Sequence, residues 1–203
     1  MRYSRFVAVA LALFAVSSIA AEDSKLVVTS EVHNVPPDGF VALFNGQNLK
    51  GWRGLGHFDP RKLRAMSPAD QKTMFAKNWE DVLQHWTVEN GELVNDGHGA
   101  YMTTLEEYGD FELHASVKMT GTNANSGVCI RTKPTSFDNV PGYQVDMGGG
   151  YWGCLWDERR DAMVDRFDPE AARKLVKADD WNHFYIVAKG HHIQGWLNGF
   201  RAG

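Results

Sequence analysis

Beyond residue 85 the apolar positions recur every second residue, the period of a strand with one buried face. WTVENGELVN predicts a hairpin closed at Asn90-Gly91, a pair that accepts the left-handed backbone of a two-residue turn. FELHASVKM, residues 111–119, sets Phe111, Leu113, Ala115, Val117 and Met119 against Glu112, His114, Ser116 and Lys118. GVCIRT, GYQVDM, FYIVAKG and HIQGWLNG continue the series. Upstream, FVALFNGQNLKGW supplies a short strand, a turn at Asn45-Gly46 and Trp52.

Two stretches break the rhythm. Ser67 as N-cap, Pro68 at the first helical position and Asp70 in the first turn start a helix whose apolar stripe is Phe75, Trp79, Val82 and Leu83. Asp168 and Pro169 start a second, shorter one through DPEAARKLVK, which Asp165 and Arg166 precede as solvating charges. Many short strands, little helix and frequent glycine predict an all-β protein, an antiparallel β-sandwich of jelly-roll type with two short helical insertions. After WLNG the turn Asn198-Gly199 asks for a hairpin partner that the pattern does not supply, so at least one further C-terminal strand is expected. Trp52, Trp79, Trp86 and Trp181 fit packing positions, and His183, His191 and His192 read as surface groups flanking strands.

The first 21 residues have another character. Arg2 and Arg5 precede the apolar run FVAVALALFAVSSIA, which ends in the small residues Ser18, Ala20 and Ala21. This is the form of a secretory signal peptide cut after Ala20 or Ala21, and it is too short for a stable membrane span. Residues 22–37 form a polar leader ending in Pro36-Pro37, expected to stay extended and carry little of the core. One domain is then expected over 38–203, exported to the periplasm or the extracellular space. Cys129 and Cys154 are the only cysteines. They read as buried free thiols or, in an oxidising compartment, as one disulfide. A net charge of -4 argues against the basic face that nucleic acid requires and favours small neutral ligands.

Alternation also sorts the polar side chains. If Val128 and Ile130, Tyr143, Val145 and Met147, and Ile193 and Leu197 face the core, then Arg131, Gln144, Asp146, His114, Gln194 and Trp196 face away from it. Read as one wall, with Trp152, Trp156, Asp157 and Glu158 nearby, these groups combine flat rings with amides, carboxylates and a guanidinium. Sugar recognition uses that combination: rings stack on C–H faces while polar groups hold hydroxyls. Gly148, Gly149 and Gly150 either let backbone approach the ligand or form a turn.

LFNGQNLKGW, W-x-V-E-N-G-E-L at 86–93, YGDFEL at 108–113, NSGVCIRT at 125–132, GYQVDMGGGYWGCLWDE and WNHFYIVAKG, with W-L-N-G after it, occur here in one order. Together they resemble the 3-keto-disaccharide hydrolase domain family from about residue 38 to the end. The resemblance implies a concanavalin-like, laminarinase-like jelly roll acting on glycosides oxidised at carbon 3. Where relatives look like G-x-E-x-Q-x-x-D, this chain has Gly142, Gln144 and Asp146, a carboxylate and an amide exchanged. A ketone at carbon 3 acidifies the carbon 2 proton, so the glycosidic bond can leave by elimination, with water added afterwards. The expected roles are Asp146 or His114 as base, Glu158 as acid and Arg131 at the enolate. Gln144, Trp152, Trp156, Asp157, Gln194 and Trp196 would hold the sugar. Asp146 and Glu158 also suit an ordinary two-carboxylate glycosidase, and Asp146, Asp157 or Glu158 with His114 offer ligands to a divalent cation. The non-enzymatic alternative is a secreted carbohydrate-binding module that uses the same rings and amides.

Overall fold

The computed structural model describes residues 34–55, 65–120, 124–132, 142–158 and 160–202, and the backbone course of 6–14. The expected signal-peptide cut and most of the 22–37 leader lie outside the described residues.

Along the chain come β1 (Phe6–Phe14), β2 (Val41–Ala42), β3 (Trp52–Leu55), α1 (Pro68–His85), β4 (Trp86–Glu89), β5 (Glu92–Asn95), β6 (Tyr101–Thr104) and β7 (Phe111–Met119). They are followed by β8 (Asn125–Ile130), β9 (Tyr143–Gly148), β10 (Leu155–Asp157), β11 (Ala162–Asp165), α2 (Pro169–Leu175), β12 (Asn182–Lys189), β13 (His192–Leu197) and β14 (Phe200–Arg201). An eight-stranded sheet runs β14-β13-β12-β7-β1-β5-β4, with β2 also on β1; β11-β10-β9-β8 form a second sheet, and β3 pairs with β6. The fold is the expected all-β sandwich, with two helices among the described residues and its pairings antiparallel.

Alternation explains the core. Phe111, Leu113, Ala115 and Val117 on β7, Phe184 and Ile186 on β12 and Leu197 on β13 meet Ile130, Val145 and Met147 from the second sheet. Each fully buried side chain of this size contributes about 1.5–3 kcal/mol. The β4–β5 hairpin turns at Asn90 (φ 52°) and Gly91 (φ 80°), as its sequence required. Ser67 caps α1 by accepting from the Asp70 N–H, and Asp168 caps α2 by accepting from that of Glu170. Helix α1 lies on β3 at Gly54, where a Cβ would meet the Asn78 carbonyl oxygen at 2.3 Å. Val82 is fully buried in that contact, whereas Leu83 is 54 % exposed because one residue further turns it about 100° off the stripe.

The apolar run 6–14 is a central strand of the main sheet. Two details depart from the sequence reading. The turn at Asn198 and Gly199 does receive a partner, the two-residue β14, paired through Trp196↔Arg201 and Leu197↔Phe200. Strands β6, β10 and β11 are too short to show a period, and Asp165, read as leading into a helix, is the last residue of β11.

A candidate carbohydrate site on the outer face of the small sheet

Parity within each strand holds, but it does not say to which sheet a strand belongs. The two sheets pack face to face, so their outward residues lie on opposite sides of the molecule. The single wall expected from the sequence is therefore divided, and only Gln144, Asp146, Trp156 and Glu158 of the anticipated residues come together. With Asn125 and Tyr151 they line a recess of about 240 Å³ on the outer face of the small sheet. That lies just below the usual range of about 300–1,000 Å³ for ligand pockets, a size suited to a single ring.

The register builds this site. Cys129 on β8 and Trp156 on β10 both stand directly opposite Gln144 on β9, which makes one cross-strand row. In the next row Asp146 stands opposite Gly127. A Cβ on Gly127 would lie 2.3 Å from Gln144 Cγ, so the absence of a side chain gives Gln144 its place. Gln144 Nε2 donates to Asp146 Oδ1 at 2.8 Å. Asp146 is 5 % exposed, and burial raises its pKa above the usual carboxylate value while the Gln144 bond pulls it part of the way back. Its backbone is fixed as well: its N–H donates to Cys154 O and its carbonyl accepts from Gly153 N–H, each at 2.9 Å.

The rim is a turn of Gly148, Gly149 and Gly150, all left-handed with φ of 88°, 58° and 84°. These glycines make the bend that presents Tyr151, whose N–H donates to Gly148 O at 2.9 Å. A Cβ at Gly148 would meet the Ala124 carbonyl oxygen at 2.0 Å, so this corner is closed to side chains. On the opposite rim Glu158 follows β10, and its N–H donates to Gly142 O at 3.1 Å. The Cys129 thiol is pushed up to about 12 by burial and then by the charges of Glu158 and Asp146. It stays protonated, and its Sγ lies 3.5 Å from Gln144 Oε1, behind the recess. Tyr101 feels Cys129 and Glu158 too, and burial is the main cause of its rise to about 12. Both cysteines are free thiols.

The other expected site residues lie elsewhere. Arg131 ends β8 in a left-handed conformation (φ 54°) and donates to Gly109 O, Asp110 Oδ1 and Gly190 O. It ties the loop before β7 to the turn after β12, with Phe111 beneath its guanidinium. Trp152 stacks on Phe184 in the core, 6.1 Å between centroids. Asp157 alternates away from Trp156 and holds the β10–β11 turn through the N–H and Nε of Arg160. His114, Gln194 and Trp196 belong to the outer face of the main sheet. There His114 packs on Phe40, Tyr185 and His183, and Trp196 on Tyr185. His183, read as a surface group, is half-buried, its Nε2 at 2.9 Å from His114 Nδ1 and its Nδ1 at 3.2 Å from Ser116 Oγ. His114 thus does not meet Asp146, Asp157 or Glu158, and the cation site drawn from them is not assembled. Among the described residues no group of three or more His, Cys, Asp or Glu side chains could hold a metal ion.

Sequence reasoning missed Asn125 and Tyr151. NSGVCI already carried a signal for the first, because Asn125 shares parity with Gly127 and Cys129.

Residues 39–202, most of the chain, match the family model described as a 3-keto-α-glucoside-1,2-lyase-like domain. The chain belongs to that family. A search of curated proteins returned no match. Membership in a 3-keto-α-glucoside-1,2-lyase-like family assigns the domain a carbohydrate-related role, and in the recess two carboxylates, two amides and two aromatic rings converge. The row geometry also gives a direct test of the site. Gly127→Ala should push Gln144 off Asp146 and lower kcat/KM by about 10- to 100-fold, because misplacing a positioned group by an ångström has an effect of that order. Steady-state kinetics check this, and unchanged kinetics would show that Gln144 has no part in turnover.

Proposed function

We propose that the protein cleaves the glycosidic bond of a 3-keto-glycoside by elimination across carbons 1 and 2, with Asp146 as the base. The observation that carries this reading is Asp146 itself: a nearly buried carboxylate with a raised pKa, held by one amide in a ring-sized recess, in a domain of this family. A base whose pKa is moved toward the working pH is better matched to proton abstraction.

The 3-ketone acidifies the carbon 2 proton. Asp146 takes it, the C2–H pair becomes the C1=C2 bond, and the C1–O pair leaves with the glycosidic oxygen. Glu158, on the opposite rim, supplies the proton to that oxygen. Charge developing on the ketone oxygen calls for donors, and among the described lining residues these are the amides of Gln144 and Asn125, the hydroxyl of Tyr151 and the indole N–H of Trp156, none of them cationic. Trp156 offers its face to the ring. The product is a 1,2-unsaturated 3-ketone, which water then hydrates. We also take the reaction to occur outside the cytoplasm, on the strength of Arg2, Arg5 and the apolar run to Ala21.

The test is incubation with a 3-keto-glycoside carrying deuterium at carbon 2. Elimination predicts release of the aglycone, a conjugated enone absorbing in the near ultraviolet, and loss of the label to solvent. Release with the label retained would point to two-carboxylate hydrolysis. Binding without release would leave a carbohydrate-binding module.

A further inference from the structure

The ribbon of β3 and β6 has no part in the chemistry proposed above. It pairs through Trp52↔Thr104, Arg53↔Thr103, Gly54↔Met102 and Leu55↔Tyr101. Residues directly opposite each other share a face, so alternation gives the ribbon two faces of different character. On one, Gly54 lies against α1 at Asn78 and Val82, and Trp52 and Met102 pack with Phe44 and Leu93. The other carries Arg53, Leu55, Tyr101 and Thr103, half-buried except for Tyr101, which is 37 % exposed.

Tyr101 brings that second face to the recess. Its hydroxyl is pushed up to about 12 by burial first and then by Cys129 and Glu158, so it stands beside both and remains a donor at neutral pH. Cys129 ends, on β8, the row that runs through Gln144 to Trp156, and Glu158 lines the rim. The outer face of the ribbon therefore continues the recess past Glu158.

We propose that this face is the subsite for the leaving group, a second pyranose ring laid on Tyr101, and that Tyr101 sets the preference for such a ring. This rests on the elimination reading, in which Glu158 protonates the glycosidic oxygen, so the group carried by that oxygen lies beyond Glu158. The recess, about 240 Å³, has room for one ring, and the ketone ring takes it. A second ring is left to the surface next to Glu158. There the face of Tyr101 suits the C–H side of a pyranose, while the Arg53 guanidinium and the hydroxyls of Thr103 and Tyr101 suit its oxygens. The acid itself favours a sugar over a phenol. A phenolate, with a pKa of about 10, leaves with little help, whereas a sugar alkoxide needs the proton that Glu158 holds.

The full chain is assayed on three α-3-ketoglucosides that differ only in the leaving group: glucose, phenol or methanol. The parent should cleave the glucosyl substrate with a kcat/KM about tenfold or more above that for the methyl one. Tyr101→Leu, which keeps an apolar side chain without a flat face, should bring that ratio down by about tenfold, through KM, and Tyr101→Phe should keep it within about twofold. Should Tyr101→Leu not fold, Arg53→Met carries the same test, since the guanidinium serves the oxygens of that ring. A parent with no preference for the glucosyl substrate, a variant whose ratio equals the parent's, or a fall confined to the phenyl substrate would each overturn the subsite and leave the elimination reading standing. If the parent cleaves none of the three, the elimination reading fails by itself, and calorimetry decides the subsite. An unoxidised glucosyl glucoside must then bind more tightly than methyl glucoside and lose that advantage in the variant; equal binding removes the subsite.

Discussion

Asp146→Asn is expected to reduce turnover by on the order of 10²–10⁴-fold, the usual contribution of a positioned general base, and at the same time to raise the melting temperature at pH 7. Both effects have one cause. Burial holds the folded pKa of Asp146 above its unfolded value. A carboxyl shifted in that direction favours the fold while protonated, and this contribution is lost as pH rises through the folded pKa, so at neutral pH the charge is a burden on stability. The replacement amide carries no charge, and its oxygen can still accept from Gln144 Nε2, so the bond of 2.8 Å survives. Thermal melts from pH 4 to pH 8 should show the variant's advantage shrinking toward acid. An advantage independent of pH would mean the carboxylate is not strained by burial, and full activity would remove Asp146 from the mechanism.

Acid should act through the opposite face. Burial lowers the pKa of His183 to about 4, and burial followed by repulsion from His183 lowers that of His114 to about 4 as well. Both are neutral at pH 7 and share the 2.9 Å contact between Nδ1 and Nε2. Phe40 and Tyr185 pack against His114, Ser116 meets His183, and the nearby carboxylate of Glu112 accepts from the Tyr185 hydroxyl at 2.6 Å. For a base whose folded pKa is depressed, the unfolded chain binds more protons between the two values, so stability is full above pH 6.5 and falls as pH drops toward 4. Each histidine alone would account for about 3 kcal/mol over that interval, and their contact makes the two titrations interdependent. Urea unfolding at pH 7.5 and 4.5 should show a loss of this order in the parent and a smaller one in His183→Gln. A midpoint unchanged between those pH values would mean that the imidazoles are solvated.

Much of the fold was legible because it rests on local rules. The Asn90-Gly91 hairpin, the caps at Ser67 and Asp168 and the core faces of β7, β9 and β12 follow from turn chemistry and from alternation. Assembly was not legible in the same way. Alternation marks Asp146 and His114 as outward on their own strands, yet sheet membership is set by pairings between residues far apart in sequence, such as Gly127↔Asp146 and His114↔Tyr185. Gathering both into one wall therefore exceeded what parity carries. Arg131 shows another limit. A guanidinium in a plausible place reads as a ligand group, and only its bonds to Gly109, Asp110 and Gly190 reveal a clamp between loops. His183 was misread because its partners His114 and Ser116 lie on another strand.

The way Asp146 is mounted has a consequence for selectivity. Its peptide group is taken up on both sides by residues 153 and 154, so its backbone cannot shift to meet different molecules. Whatever discrimination the domain exerts must come from its border, the glycine bend with Tyr151 on one side and the stretch around Glu158 on the other. Exchange of that border alone should redirect which sugar is accepted while the Asp146 carboxylate stays where it is.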